Sequence, residues 1–250
     1  FEALAGPILA AYPALTSADL DFAPSPKLEV GDVALRTFVA AKKLKMAPPQ
    51  LAAARANLAR DFGQAQIARQ ERIALIGLRG AGKSTLGVRL ARELDAPFIE
   101  LDREVEREAA TGLNEIFLLY GQAGYRRYER RALERLIERH ERVVIATGGS
   151  IVSEPGTFDL LLSNCFTVWL KARPEEHMAR VIAQGDMRPI AGNKEAMDDL
   201  QRILAGRERL YRQADVAVET GGSSLDQAYA RLEQQVRHAM ANRHALGESQ

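Results

Sequence analysis

Gly77-Leu78-Arg79-Gly80-Ala81-Gly82-Lys83-Ser84 satisfies the spacing G-x-x-x-x-G-K-[ST] at every fixed position. That pattern serves one kind of chemistry. Glycines let the backbone curl until successive N–H groups point at a single anion. A helix opening near Lys83 adds the positive end of its dipole. Lys83 can then reach the outer phosphates of a nucleoside triphosphate, and Ser84 can offer its hydroxyl to Mg²⁺. Gly77, Gly80, Ala81, Gly82, Lys83, Ser84 and Thr85 are the expected nucleotide-binding residues.

Three further groupings address a phosphoryl acceptor. Glu100-Leu101-Asp102 ends an apolar run read as a strand over 97–101. Period-two alternation would put Glu100 and Asp102 on one side, at the carboxyl end of a parallel strand where ligands bind. One acid could order the magnesium shell while the other accepts a hydrogen bond from a substrate hydroxyl. A helix N-cap at Asp102 is the alternative reading. In Tyr125-Arg126-Arg127-Tyr128-Glu129, Arg126 and Glu129 lie three apart on one helix face. An arginine fork held by a carboxylate suits capture of a substrate carboxylate. Thr147-Gly148-Gly149-Ser150, Arg188-Pro189, and Arg207 with Tyr211 make the third grouping. Arg188 falls between Gly185 and Gly192, in a stretch over 185–195 read as a mobile lid whose arginine neutralises charge on the transferring group.

The elements that must position these residues follow from hydrophobic pattern. Short apolar runs at 73–76, 97–101, 143–146, 166–170 and 216–218 read as strands. Helical patterns cover 83–94, 103–139 (broken near Gly112 and Gly121), 174–184, 196–211 and 224–241. Strands alternating with helices predict an α/β domain, a parallel sheet covered on both faces. Residues 1–70 read as a mostly helical N-terminal extension, with helical spacing from Val33 to Val39 and an amphipathic helix over 50–62. The main domain covers 71–241, and 242–250 form a tail. Lys42-Lys43-Leu44-Lys45 reads as a solvated helix end.

Charge and cysteine content narrow the function classes. Lys and Arg total 34 against 33 Asp and Glu, which argues against a strongly basic nucleic-acid protein. The single cysteine, Cys165, excludes an internal disulfide and reads as a small buried hydrophobe. No apolar run approaches the ~20 residues that span a bilayer, and no signal-peptide layout is present, so cytoplasmic location is expected.

Taken together, residues 70–240 resemble shikimate kinases. The resemblance rests on Gly-x-x-Gly-Ala-Gly-Lys-Ser, Asp102, Gly-x-x-x-Tyr-Arg-x-x-Glu at 121–129, Thr-Gly-Gly at 147–149, Arg-Pro at 188–189 and Arg-x-x-x-Tyr at 207–211. It implies a P-loop fold of the nucleoside-monophosphate-kinase type with five parallel strands. It also implies ATP and Mg²⁺ as cofactors and transfer of the γ-phosphate to the 3-hydroxyl of shikimate. By that resemblance Asp102 binds shikimate hydroxyls and is the candidate base. Arg126 and Arg207 clamp the carboxylate, and Gly148 and Gly149 line the substrate. Arg188 is the lid arginine, and Arg180 lies against adenine. Two positions depart from the family pattern. Ser150 stands where a third glycine is usual, and its side chain is expected to crowd the substrate. Glu100, the acid assigned to magnesium beside Ser84, stands where an aspartate is usual, and its longer carboxylate is expected to shift the magnesium waters.

A narrower resemblance runs through 125–134, 147–155 and 183–189, and through the linker-like segment 48–63. These segments are similar to the effector domain of bacterial benzoate-catabolism regulators. There a shikimate-kinase-like domain senses benzoyl-CoA behind a helix-turn-helix domain. This alternative implies an aromatic CoA thioester as effector. Residues 1–47 show no helix-turn-helix pattern, so DNA is expected as a partner only through a domain preceding Phe1.

Overall fold

Side chains buried in succession along the central strands give each of them two covered faces. The structure, a computed structural model, describes residues 22–24, 33–35, 68–69, 71–183 and 194–247. Two short antiparallel strands, β1 (Phe22–Pro24) and β2 (Val33–Leu35), pair Phe22 with Leu35 and Pro24 with Val33. The helical spacing expected from Val33 is therefore not realised at its start. A β-branched Val33 opposite Pro24 suits an extended pair at a sheet edge instead. The helix expected over 50–62 lies outside the described residues.

A second compact unit, Ala68–Arg243, holds the main sheet. Its strands are β3 (Arg72–Ile76), β4 (Phe98–Glu100), β5 (Val143–Ala146), β6 (Phe166–Lys171) and β7 (Val216–Glu219). The order is β4-β5-β3-β6-β7, and every neighbouring pair is parallel. In β3, Ile73 and Leu75 join one buried cluster with Val144, Val168 and Leu170. Ala74 and Ile76 join the other, with Ile145, Trp169 and Tyr211. Period-two alternation thus feeds two cores, which is why β3, β5 and β6 read as continuous apolar runs rather than alternating ones.

Seven helices of the described residues cover the sheet: α1 (Lys83–Glu93), α2 (Leu101–Ala109), α3 (Leu113–Arg139), α4 (Pro155–Asn164), α5 (Pro174–Ala183), α6 (Lys194–Tyr211) and α7 (Leu225–Gly247). The first piece of α3 ends at Gly121, whose φ of 63° and ψ of −168° no helix allows. α4 has no counterpart in the sequence reading, although Pro155 at its first turn is a recognised start signal. The strand expected over 97–101 is shorter. Glu100 is the last strand residue, and Leu101, fully buried, already starts α2. Asp102 and Glu104 in the first turn suit the positive end of that helix. No helix of the described residues is long and apolar enough to cross a membrane.

Candidate functional site

The carboxyl ends of β3, β4 and β5 open into one cleft of about 1010 Å³. Its phosphate side is the loop between β3 and α1. Gly77, Gly80 and Gly82 have φ of 141°, 76° and 92°, all in the region that side chains disfavour. Gly82 caps α1 from the left-handed region. Successive N–H groups of such a turn converge on one point, which is the cradle an anion needs. Gly80, Gly82, Lys83, Ser84 and Thr85 line the cleft. Ala81 is buried behind them, its N–H held by Leu78 O at 3.1 Å.

Lys83 Nζ donates to Gly77 O at 2.8 Å and Leu78 O at 2.9 Å. Burial pulls its ammonium down from 10.5 to about 8, with the charges of Asp102 and Glu100 opposing that fall and Arg79 adding to it. Ser84 Oγ donates to Glu100 Oε1. The serine and the acid assigned to magnesium are therefore adjacent.

Asp102 and Glu100 both line the cleft, as the sequence reading required, but not by strand alternation. Glu100 is the helix N-cap residue, without a side-chain capping bond, and Asp102 stands on the first turn of α2. A helical turn rather than a pleat brings them to one side. The alternative of an Asp102 N-cap is not what the chain adopts.

The turn after β5 closes the acceptor side. Thr147 binds Leu75 O through its N–H at 3.2 Å and its hydroxyl at 3.1 Å, fixing the turn to β3. A Cβ on Gly149 would lie 3.4 Å from Arg79 N, Gly77 O and Leu78 Cα, so the turn rests on the phosphate loop. From α6, Arg207 Nη1 and Tyr211 Oη both donate to Gly149 O, at 3.2 and 2.5 Å. Tyr211 is fixed in turn by stacking on Trp169, ring centres 5.6 Å apart. Gly148 and Gly149 line the cleft; Ser150 does not. With φ of −103° and ψ of 0°, Ser150 takes a conformation open to any residue. Nothing in the backbone at 150 requires a glycine.

Arg126 Nη1 binds Glu129 Oε2 at 2.5 Å, and Glu129 is fully buried. The anticipated fork held by a carboxylate is thus present. Burial raises the Glu129 carboxyl above its ordinary value, with Arg126 opposing. Arg180 lies on α5 and donates to Gly80 O at 3.2 Å and Thr220 O at 2.7 Å, tying the phosphate loop to the segment after β7. Arg188 lies outside the described residues, as does most of the stretch read as a lid.

Sequence reasoning missed several contributors. Arg79, Glu106, Asn114 and Phe117 also line the cleft. The Tyr125 hydroxyl meets both Asp102 and Glu129. His177, buried on α5 with its pKa lowered by desolvation, contacts Arg79 O through Nδ1 at 3.0 Å. Tyr125 falls inside the Gly-x-x-x-Tyr-Arg-x-x-Glu motif, so its position is visible in the sequence but its partners are not. Nothing in the sequence pairs His177 with a loop 98 residues away. Cys165 is buried, as expected, and burial pushes its thiol up to about 12.

Three comparisons bear on this geometry. The family model described as shikimate kinase matches residues 79–237. The shikimate kinase of Francisella philomiragia is 38% identical over 158 residues, covering 63% of this chain and 89% of that protein. Among solved structures, shikimate kinase from Acinetobacter baumannii in complex with shikimate superposes with a TM-score of 0.59 at 29% identity, over 68% of this chain and 93% of that one. Shikimate kinase from Bacteroides thetaiotaomicron gives a TM-score of 0.60 at 31% identity, over 66% and 98%. With a cleft of that construction and a match over more than half its length, the chain belongs to the shikimate kinase family.

Proposed function

We propose that the chain is an ATP:shikimate phosphotransferase, moving the γ-phosphoryl group of ATP to the 3-hydroxyl of shikimate. The observation that carries the reading is that Lys83 and Asp102 face one cleft, one in the phosphate loop and the other at the acceptor wall. Phosphoryl transfer asks little covalent chemistry of a protein; it asks for positioning and charge.

The loop N–H groups and Lys83 hold the phosphates. Asp102 accepts the hydrogen bond of the acceptor hydroxyl and takes its proton as the new O–P bond forms and ADP leaves. Gly148 and Gly149 let the acceptor approach the backbone. Arg126 and Arg207 use N–H groups beyond those already bonded to Glu129 and Gly149 O for the shikimate carboxylate. Arg180, anchored beside the loop, flanks the base. Ser84 and Glu100 would hold Mg²⁺, which supplies charge neutralisation on the phosphates. Among the described residues no cluster of three or more His, Cys, Asp or Glu side chains could hold a metal alone. That fits a cation bound through one carboxylate together with substrate phosphates.

The test is coupled ADP release at saturating Mg·ATP. Shikimate-dependent turnover in the parent, lost by about 100-fold or more in Lys83→Ala with unchanged far-UV circular dichroism, is expected. Tight benzoyl-CoA binding with no shikimate-dependent turnover would overturn the reading.

A further inference from the structure

Tyr125 has one hydroxyl proton and two carboxylates within reach. Its Oη lies 2.9 Å from Asp102 Oδ1 and 3.1 Å from Glu129 Oε1. The two acids are not equivalent. Glu129 is already compensated, because Arg126 donates to its other oxygen at 2.5 Å. Among the described residues, Tyr125 supplies the hydrogen bond that Asp102 receives. The shorter contact, and the absence among the described residues of an arginine bonded to Asp102, both direct the proton to Asp102.

The hydroxyl is itself held tightly. The Tyr125 ring is 4% exposed and stacks on Phe117, ring centres 4.7 Å apart and planes at 21°. Gly148 lies against the hydroxyl. A Cβ there would lie 3.1 Å from Tyr125 Oη and 3.3 Å from Asp102 Oδ1, closer than side chains normally tolerate. The glycine lets the substrate-side turn press directly on the hydroxyl and its carboxylate. A carboxylate pinned at one oxygen presents the other in one orientation.

From this geometry we infer that Tyr125 is a positioning residue for phosphoryl transfer: its hydroxyl fixes Oδ1 of Asp102 so that the remaining oxygen meets the acceptor hydroxyl. This rests on the kinase reading above for its catalytic consequence, though not for the contact itself. Glu129 and Arg126 form the floor that keeps the tyrosine from turning away. Misplacement of a reacting group by ~1 Å costs about 100-fold in rate, so a single anchoring bond matters here.

The experiment compares the full chain with Tyr125→Phe, an isosteric change that keeps the buried ring and its stack on Phe117. Two readouts are taken. One is steady-state kinetics with shikimate and ATP. The other is the carboxyl ¹³C resonance of Asp102 in protein labelled at aspartate, assigned through Asp102→Asn. Expected are a kcat lowered by about 10- to 100-fold, both KM values within about threefold, and a shifted Asp102 resonance. A residue that only fills space would lower the melting temperature and leave kcat in place. An unmoved Asp102 resonance, or an unchanged kcat in an active parent, overturns the inference. If the parent shows no shikimate-dependent turnover, the kinase reading falls, and the resonance alone still decides whether Tyr125 holds Asp102.

Discussion

Lys83 and Asp102 are coupled across the cleft: of the interactions opposing the desolvation of the Lys83 ammonium, the Asp102 charge is the largest. The phosphate side and the acceptor side therefore share an electrostatic balance as well as a cavity. A lysine brought to about 8 is charged at neutral pH but titrates within reach of experiment.

The first prediction uses that titration. Free protein loses the Lys83 proton as pH rises through about 8, and a bound polyphosphate restores it. kcat/KM for ATP should fall above that pH. Calorimetry of an ATP analogue at pH ~9, in buffers of different ionisation enthalpy, should show uptake of roughly one proton. The stability sign is opposite to that of a paired lysine. Between about 8 and 10.5 the unfolded chain holds the proton that the folded chain has released, so this group's cost is relieved as pH rises. Binding without proton uptake would contradict the shifted Lys83.

Gly77 tests the turn out of β3. Its φ is 141°, and a Cβ would lie 2.6 Å from Leu170 O, a backbone atom that cannot swing aside. Gly77→Ala should destabilise the fold by about 1–3 kcal/mol, read by urea denaturation, and weaken nucleotide binding with it. A neutral outcome would mean that the loop has another conformation.

Glu129 tests the buried ion pair. Its side chain is 0% exposed and Arg126 only 11%, so removing the acid strands a cation. Glu129→Ala should cost about 3–5 kcal/mol in chemical denaturation. The double variant Glu129→Leu/Arg126→Leu should recover part of that loss. If the single change is silent, the pair is not buried as described.

Ser150 should be nearly silent. It lies outside the cleft lining and has an unstrained backbone. Ser150→Gly should leave kcat and KM for shikimate within about threefold, since the side chain removed does not line the cleft and the backbone there does not need a glycine. A large gain in activity would restore the crowding expected from sequence.

The phosphate loop was legible because its chemistry is local. Gly77 to Ser84 are consecutive, and their backbone conformations follow from glycine placement beside a buried strand. The five strands were legible for a related reason: a parallel sheet buried on both faces leaves short unbroken apolar runs. β4 shows the limit of that reasoning. Glu100-Leu101-Asp102 reads equally well as a strand end or a helix start, because burial of Leu101 satisfies both.

By itself, then, the sequence determined the fold class, the phosphate loop and the identities of Asp102, Arg126, Gly148, Gly149 and Arg207 as site candidates. Only the tertiary structure decided what each of them touches. Asp102 and Tyr125 are 23 positions apart, Arg207 and Gly149 are 58 apart, and His177 and Arg79 are 98 apart. Such pairings leave no periodicity along the chain. They arise because the parallel strands deliver separate segments to one end of the sheet, where packing, burial and charge select the partners.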